Sequence, residues 1–365
     1  MAPQKETTIA IIGLGVIGGS LGLAFEEARV RATVVGYDTV PAMRRALKRN
    51  AIDRMAGSLK DAAVGADIVF VCTPVSSILR LLPAIAQNIG IHTIVTDVGS
   101  VKGVVHTQAG KYFRAKGIFV GGHPMAGSEG SGIEFADPLL FQNAVYVLCP
   151  LKRNLKDVEP LSTLLKKIGA RVMLMTARDH DRVAAAISHL PQLAAVGLMN
   201  LAADKNEQNR ATIRLAAGGF RDMTRIASSP FPIWKDILSY NSVEVRKVLA
   251  ELGATIKRYQ KEVSGRSLRE MQKNFQRAKA FRDAIPRNSK GFLHPTYDIY
   301  LWADDKPGVL AKITRALFDK RINISDIELM KIREGQGGTF RLSFETHEAS
   351  QKAIAILRRK KFRVQ

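Results

Sequence analysis

The sequence predicts a three-part α/β protein: a mostly parallel sheet wrapped by helices, an all-helical middle, and a small β-α-β-β-α-β end. Three observations carry this. A glycine-patterned turn joins an apolar run to a helix near the start. Short apolar runs then alternate with helical stretches up to about residue 177. Strands stop beyond residue 179 and return only after a stretch of proline, glycine, serine and basic residues at 286–295. The expected domains are 1–177, 178–285 and 296–365, with 286–295 as linker.

Residues 7–12 read as a buried strand. Gly13-Leu14-Gly15-Val16-Ile17-Gly18 follows, then an apolar helix, a second strand at 32–37, and Asp38. Strand, G-x-G-x-x-G, helix, strand and acid form the dinucleotide-binding fingerprint of a Rossmann-type domain. Gly13 makes the tight turn, Gly15 admits a pyrophosphate, and Gly18 lets helix and strand pack closely. The helix N-terminus, at Val16 and Ile17, offers N–H groups and partial positive charge to phosphates. Asp38 can accept both ribose hydroxyls and would repel a 2′-phosphate, so NAD is expected over NADP; Arg44 and Arg45 soften that preference. The same glycines explain why the nearly uncharged run 9–25 is neither a signal peptide nor a membrane span.

Further strands are expected at 67–72, 92–96, 117–121, 144–148 and 170–175. In open α/β sheets ligands bind beyond the carboxyl ends of the strands. The glycine turn, Asp38, Thr73-Pro74, Ser100 and His123 all fall at such ends. His123 sits in Gly121-Gly122-His123-Pro124-Met125-Ala126-Gly127-Ser128-Glu129, and Pro124 should keep it extended as it leaves its strand for a loop.

In the helical part, Asp179-His180-Asp181-Arg182 opens a helix whose apolar side includes Val183, Ile187, Leu190, Ala194 and Leu201. Pro191 removes a helical hydrogen bond and predicts a kink beside His189. Arg225 lies between Met223 and Ile226, an arrangement that turns its guanidinium inward toward a carboxylate. Helices this apolar on one face imply a second subunit. After the linker come a strand at 297–303, a helix opened by Lys306-Pro307-Gly308-Val309-Leu310, a hairpin of 322–332 with 339–346, a helix at 348–359 and a closing strand at 361–364: a ferredoxin-like arrangement.

The chain has 365 residues, enough for two or three cores. Cys72 and Cys149 each lie in an apolar run. With no disulfide framework and no metal-ligand spacing, a reducing cytoplasm is the expected setting. The net charge of +22 is high, but the basic residues are spread at helical spacings without interleaved aromatics. They read as solvated faces before a nucleic-acid patch.

With these residues in hand the chain resembles the prephenate dehydrogenases, NAD-dependent enzymes of tyrosine biosynthesis, in the form bearing a C-terminal ACT regulatory domain. The resemblance rests on the glycine turn with Asp38, Asp97-Val98-Gly99-Ser100-Val101-Lys102, His123-Pro124-Met125-Ala126-Gly127 with Glu129, Ser188-His189-Leu190-Pro191, 220–227, and Lys306-Pro307-Gly308-Val309-Leu310 followed by Asn323-Ile324. It implies oxidative decarboxylation of prephenate to 4-hydroxyphenylpyruvate in a homodimer. By that resemblance His123 is the base and Ser100 hydrogen-bonds substrate and histidine. Arg225 clamps the ring carboxylate, His189 meets the pyruvyl end, and Glu129 is a gate or pH-sensing partner. Gly308 and Asn323 would contact an amino-acid effector, most simply tyrosine. Arogenate or dual-specificity cyclohexadienyl dehydrogenase is the near alternative. A nucleic-acid-binding regulator is the distant one, since it leaves His123, His189 and Arg225 without a task.

Overall fold

A computed structural model describes residues 7–364 apart from 115, 128–129, 153–154, 266–267, 285–296, 305 and 334–336. It divides into two compact units, Met1–Lys273 and Asn274–Gln365. The expected linker 286–295 and Glu129 lie outside the described residues.

In the first unit the strands are β1 (Thr7–Ile12), β2 (Ala32–Tyr37), β3 (Arg54–Met55), β4 (Ile68–Val71), β5 (Ile94–Asp97), β6 (Ile118–Pro124), β7 (Val145–Pro150) and β8 (Arg171–Leu174). Their order in the sheet is β3-β2-β1-β4-β5-β6-β7-β8. The short edge strand β3 was not foreseen. Helices α1 (Val16–Glu27), α2 (Val40–Lys48), α3 (Leu59–Ala63), α4 (Val75–Asn88), α5 (Gly103–Tyr112) and α6 (Leu155–Lys167) connect them. Both parities of β1 are apolar because both faces are covered. Ile9 and Ile11 join Phe25, Phe70 and Leu148 on one side, while Ala10 and Ile12 join Val71, Ile78 and Leu82 on the other. All neighbouring strands run parallel except β6 and β7. Among the described residues only a 3-10 turn (Ile133–Phe135) stands between those two where a crossover helix would be, and the chain returns antiparallel. As a result β6 runs two residues past Gly122. His123 is paired with Val147 inside the ladder, not in a loop as expected.

The helical part comprises α7 (Ala177–Ala184), a π turn (Ala185–His189), α8 (Leu190–Gln208), α9 (Ala211–Arg214), α10 (Gly218–Thr224), α11 (Phe231–Tyr240), α12 (Ser242–Ser264) and α13 (Arg269–Ala284), the last spanning the division between the units. The kink expected from Pro191 takes the form of that π turn. Pro191 has no N–H for the Ile187 carbonyl, and the ladder widens just before it. The face expected to be buried is the wrong one. Val183, Ile187 and Leu201 are 44%, 63% and 55% exposed, whereas His180, Asp181, His189 and Gln192 are buried. Polar groups face inward, and the apolar stripe faces out of the chain.

The second unit holds β9 (Tyr297–Ala303), α14 (Val309–Phe318), β10 (Asp326–Arg333), β11 (Gly337–Phe344), α15 (His347–Arg359) and β12 (Arg363–Val364). The antiparallel order β10-β11-β9-β12 is ferredoxin-like. β10 starts later than expected because Ile322 and Ile324 pack on the core before the strand begins. Thr346 caps α15 by accepting from the Ala349 amide at 3.1 Å.

Candidate active site

The cofactor cradle forms where the strand order reverses, at the carboxyl ends of β1 and β4. Gly13 has φ +96°, and its amide donates to the Tyr37 carbonyl at 2.9 Å. A Cβ there would lie 2.6 Å from the Cys72 carbonyl oxygen, and one at Gly18 would lie 1.9 Å from the Gly13 carbonyl oxygen. These two glycines are packing requirements. Gly15 is different: nothing lies within 4 Å of a Cβ built there, so its backbone faces open space at the start of α1. The first amides of that helix, at Val16 and Ile17, have no intrahelical acceptor. Asp38 accepts from the Leu14 amide at 2.7 Å and the Thr39 amide at 2.6 Å, which ties the acid to the glycine turn. Thr73 leaves a buried Oγ1 with no hydrogen-bond partner among the described residues, and Pro74 caps α4 beside it. A dinucleotide fits this donor set.

Two strands beyond β4, on β6, His123 Nδ1 lies 2.7 Å from His180 Nε2, and His180 Nδ1 lies 2.8 Å from Asp181 Oδ1. Asp181 also accepts the amides of Lys102 and Gly103, both at 2.7 Å, and so caps α5. Beneath them Lys102 is fully buried. Its Nζ pairs with Asp97 and donates to the Gly122 carbonyl at 2.7 Å. Asp97 in turn accepts from the Gly99 amide at 2.9 Å and the Gly122 amide at 3.2 Å. The pair thus braces the backbone on both sides of Ser100 and just before His123. Burial, then the charges of His180, Lys102 and His189, push His123 well below its usual 6.5, so the imidazole is neutral at pH 7. Burial raises the Asp181 carboxyl, but hydrogen bonds from His180 and from the two amides outweigh it and leave a net lowering.

His189 is 1% exposed at the end of the π turn. Asn241 Nδ2 lies 3.3 Å from its Nδ1 and donates to the Asp181 carbonyl at 2.9 Å, while Trp234 meets the imidazole edge-on. Burial lowers His189 to about 4. Its Nδ1 accepts from the amide nitrogen, so Nε2 carries the hydrogen and can donate. Ser100 is half-buried in the same β5–α5 loop, but the bond His123 makes goes to His180, not to Ser100. Arg225 begins a 3-10 turn (Arg225–Ser228) packed on α8, where Gln192 Nε2 donates to the Ile226 carbonyl at 3.0 Å. The expected apolar wall is absent there: Met223 is 66% exposed and Arg225 itself is exposed.

In the second unit Gly308 caps α14 with φ +84° and opens into a cavity of about 550 Å³ also lined by Lys306, Pro307, Leu329, Gly337 and Phe340. The exposed Asn323 does not line it.

Sequence reasoning missed His180, Asp181 and Asn241 as parts of the site, and Lys102 as its brace. The signal for His180 and Asp181 was an Asp-His-Asp run opening a helix, which reads equally as a capping segment.

Three family profiles match end to end: prephenate dehydrogenase nucleotide-binding domain at 21–174, prephenate dehydrogenase dimerization domain at 176–277, and ACT domain at 297–359. The prephenate dehydrogenase of Bacillus subtilis is 36% identical over 353 residues, covering 96% of this chain and 95% of that protein.

The chain belongs to the prephenate dehydrogenase family.

Solved members of the family share its shape. The arogenate dehydrogenase of Synechocystis is 29% identical with a TM-score of 0.68, over 76% of this chain and 99% of that one. The Aquifex aeolicus prephenate dehydrogenase, solved with hydroxyphenyl propionate and NAD+, is 26% identical with a TM-score of 0.68, over 78% and 99%. The chain is therefore an NAD-dependent dehydrogenase of this family. The glycine turn itself precedes the profile match, which begins at residue 21, so it supports the assignment independently.

Proposed function

We propose that the chain oxidises prephenate to 4-hydroxyphenylpyruvate with loss of CO₂. The observation that carries this is a half-buried, neutral histidine, His123, on the same sheet edge as the dinucleotide cradle. NAD, when bound, accepts the hydride from ring C4. His123 takes the C4 hydroxyl proton as the carbonyl forms and returns it to the oxygen as the ring aromatises. The C1–carboxylate bond breaks, and its electron pair enters the ring. Arg225 would hold that carboxylate until it leaves, and the Nε2–H of His189 would donate to the pyruvyl end. Ser100 would contact the reacting hydroxyl, and Glu129 would gate the entrance.

The outward apolar stripe of α7 and α8 supports a homodimer, with working domains at 1–177, 178–285 and 296–365. Tyrosine is the proposed effector, held by the Gly308 cavity with Asn323 approaching from a second copy. The enzyme would serve tyrosine biosynthesis in the cytoplasm. Its basic surface would draw in a dianionic substrate.

The arogenate dehydrogenase likeness makes that substrate the comparison arm. Formation of the reduced nicotinamide is followed with prephenate or arogenate, with NAD or NADP, with and without tyrosine. Prephenate with NAD should give the highest kcat/KM, and tyrosine should lower the rate. A strong preference for arogenate would replace the substrate.

A further inference from the structure

We infer that His180 is a positioning residue that holds the base in one tautomer, with His123 Nδ1 protonated and Nε2 bare toward the substrate. The inference rests on His123 being the base and goes beyond it. The reasoning follows the hydrogens.

An ionised carboxylate only accepts. Asp181 therefore requires a hydrogen on His180 Nδ1, which lies 2.8 Å away. In the neutral form of His180 the imidazole has a single N–H, so its Nε2 is a lone pair. His123 Nδ1, at 2.7 Å, must then be the donor. Because burial keeps His123 neutral, its Nε2 carries no hydrogen. Free histidine prefers the opposite tautomer, whose Nε2–H cannot remove a proton. The line from Asp181 to His123 selects the reactive form by hydrogen bonding alone.

Protonating His180 would reverse the second bond and put the hydrogen of His123 on Nε2. The pull of Asp181 toward that state is already spent in part on the amides of Lys102 and Gly103. When His123 takes up the substrate proton, Nδ1–H remains in place. The positive charge then faces a lone pair whose far side is a carboxylate. This is the role of the aspartate in serine-protease triads, lengthened by one imidazole.

The test uses the full-length protein with ¹⁵N-labelled histidine at about pH 8, above the ordinary histidine range. The wild type should show His123 with a protonated Nδ1 and a bare Nε2. In His180→Leu the hydrogen should move to Nε2. kcat should then fall by roughly 10²–10⁴-fold, while the KM values for NAD and prephenate change by less than about threefold. His180→Gln can accept from His123 and donate to Asp181, so it should recover the tautomer and at least about tenfold in kcat. It also keeps the test valid if the leucine variant does not fold.

An unchanged tautomer in His180→Leu, or a wild-type His123 protonated on Nε2, would overturn the inference. A correct tautomer in a protein that does not turn over prephenate would leave the positioning role intact and remove only the substrate assignment.

Discussion

Burial sets the chemistry of individual residues here, and pH should reveal it. His123 lies well below 6.5 in the folded chain and His189 at about 4. Both are neutral at pH 7, so the acid fall of kcat/KM should come well below pH 6.5 rather than at it. The stability sign follows from the same shift. As pH drops below 6.5 the unfolded chain takes up a proton that folded His189 refuses until about 4. Stability is therefore present above 6.5 and lost across that window. Urea melts at several pH values should show the loss, and His189→Gln should flatten it. Lys102 is the second case. Lys102→Met would strand the buried Asp97 carboxylate and should cost about 3–5 kcal/mol in the same melts. The proposed site residues at the strand ends were legible in the sequence: His123, Ser100, and the glycines with Asp38. Their partners were not. His123 and His180 are 57 positions apart, and no spacing rule connects a strand residue to one on a helix in the next domain.

Among the elements, the α7–π–α8 run decides the site. In an uninterrupted α-helix, residues nine apart point to opposite sides, about 180° around the axis. His180 and His189 are nine apart yet both are buried. The π turn absorbs about one residue of phase and reduces the separation to about 80°. Inserting one alanine after Ala186 should add about 100° of phase, swing His189 outward and cut kcat/KM at least about tenfold, with far-UV dichroism unchanged. An insertion variant with wild-type kinetics would refute this. The sheet and the ferredoxin-like unit were legible because their periodicities are simple. The antiparallel β7 was not, because the chain between 125 and 144 carries no helix and no turn signal that fixes direction. The helix face was misassigned for a plainer reason: apolar stripes were expected to face inward, while this one faces out and the polar side carries the chemistry.

For the whole molecule, the proposed function gives the two compact units separate tasks. Deleting residues from 296 onward should leave dehydrogenase turnover within about twofold while abolishing the response to tyrosine. Inhibition that survives the truncation would put the effector at the catalytic centre. The outward stripe adds a concentration dependence. If Val183, Ile187 and Leu201 are covered by a second copy, thermal midpoints should rise with protein concentration.

Asp38 has a consequence for anyone redesigning the enzyme. The carboxylate that would meet the cofactor ribose also receives the Leu14 amide of the glycine turn. Replacing it to admit a phosphorylated dinucleotide removes a repulsion and a structural acceptor in one stroke. Cofactor preference and the shape of the loop are inherited together, so a successful swap must supply that amide with a new partner.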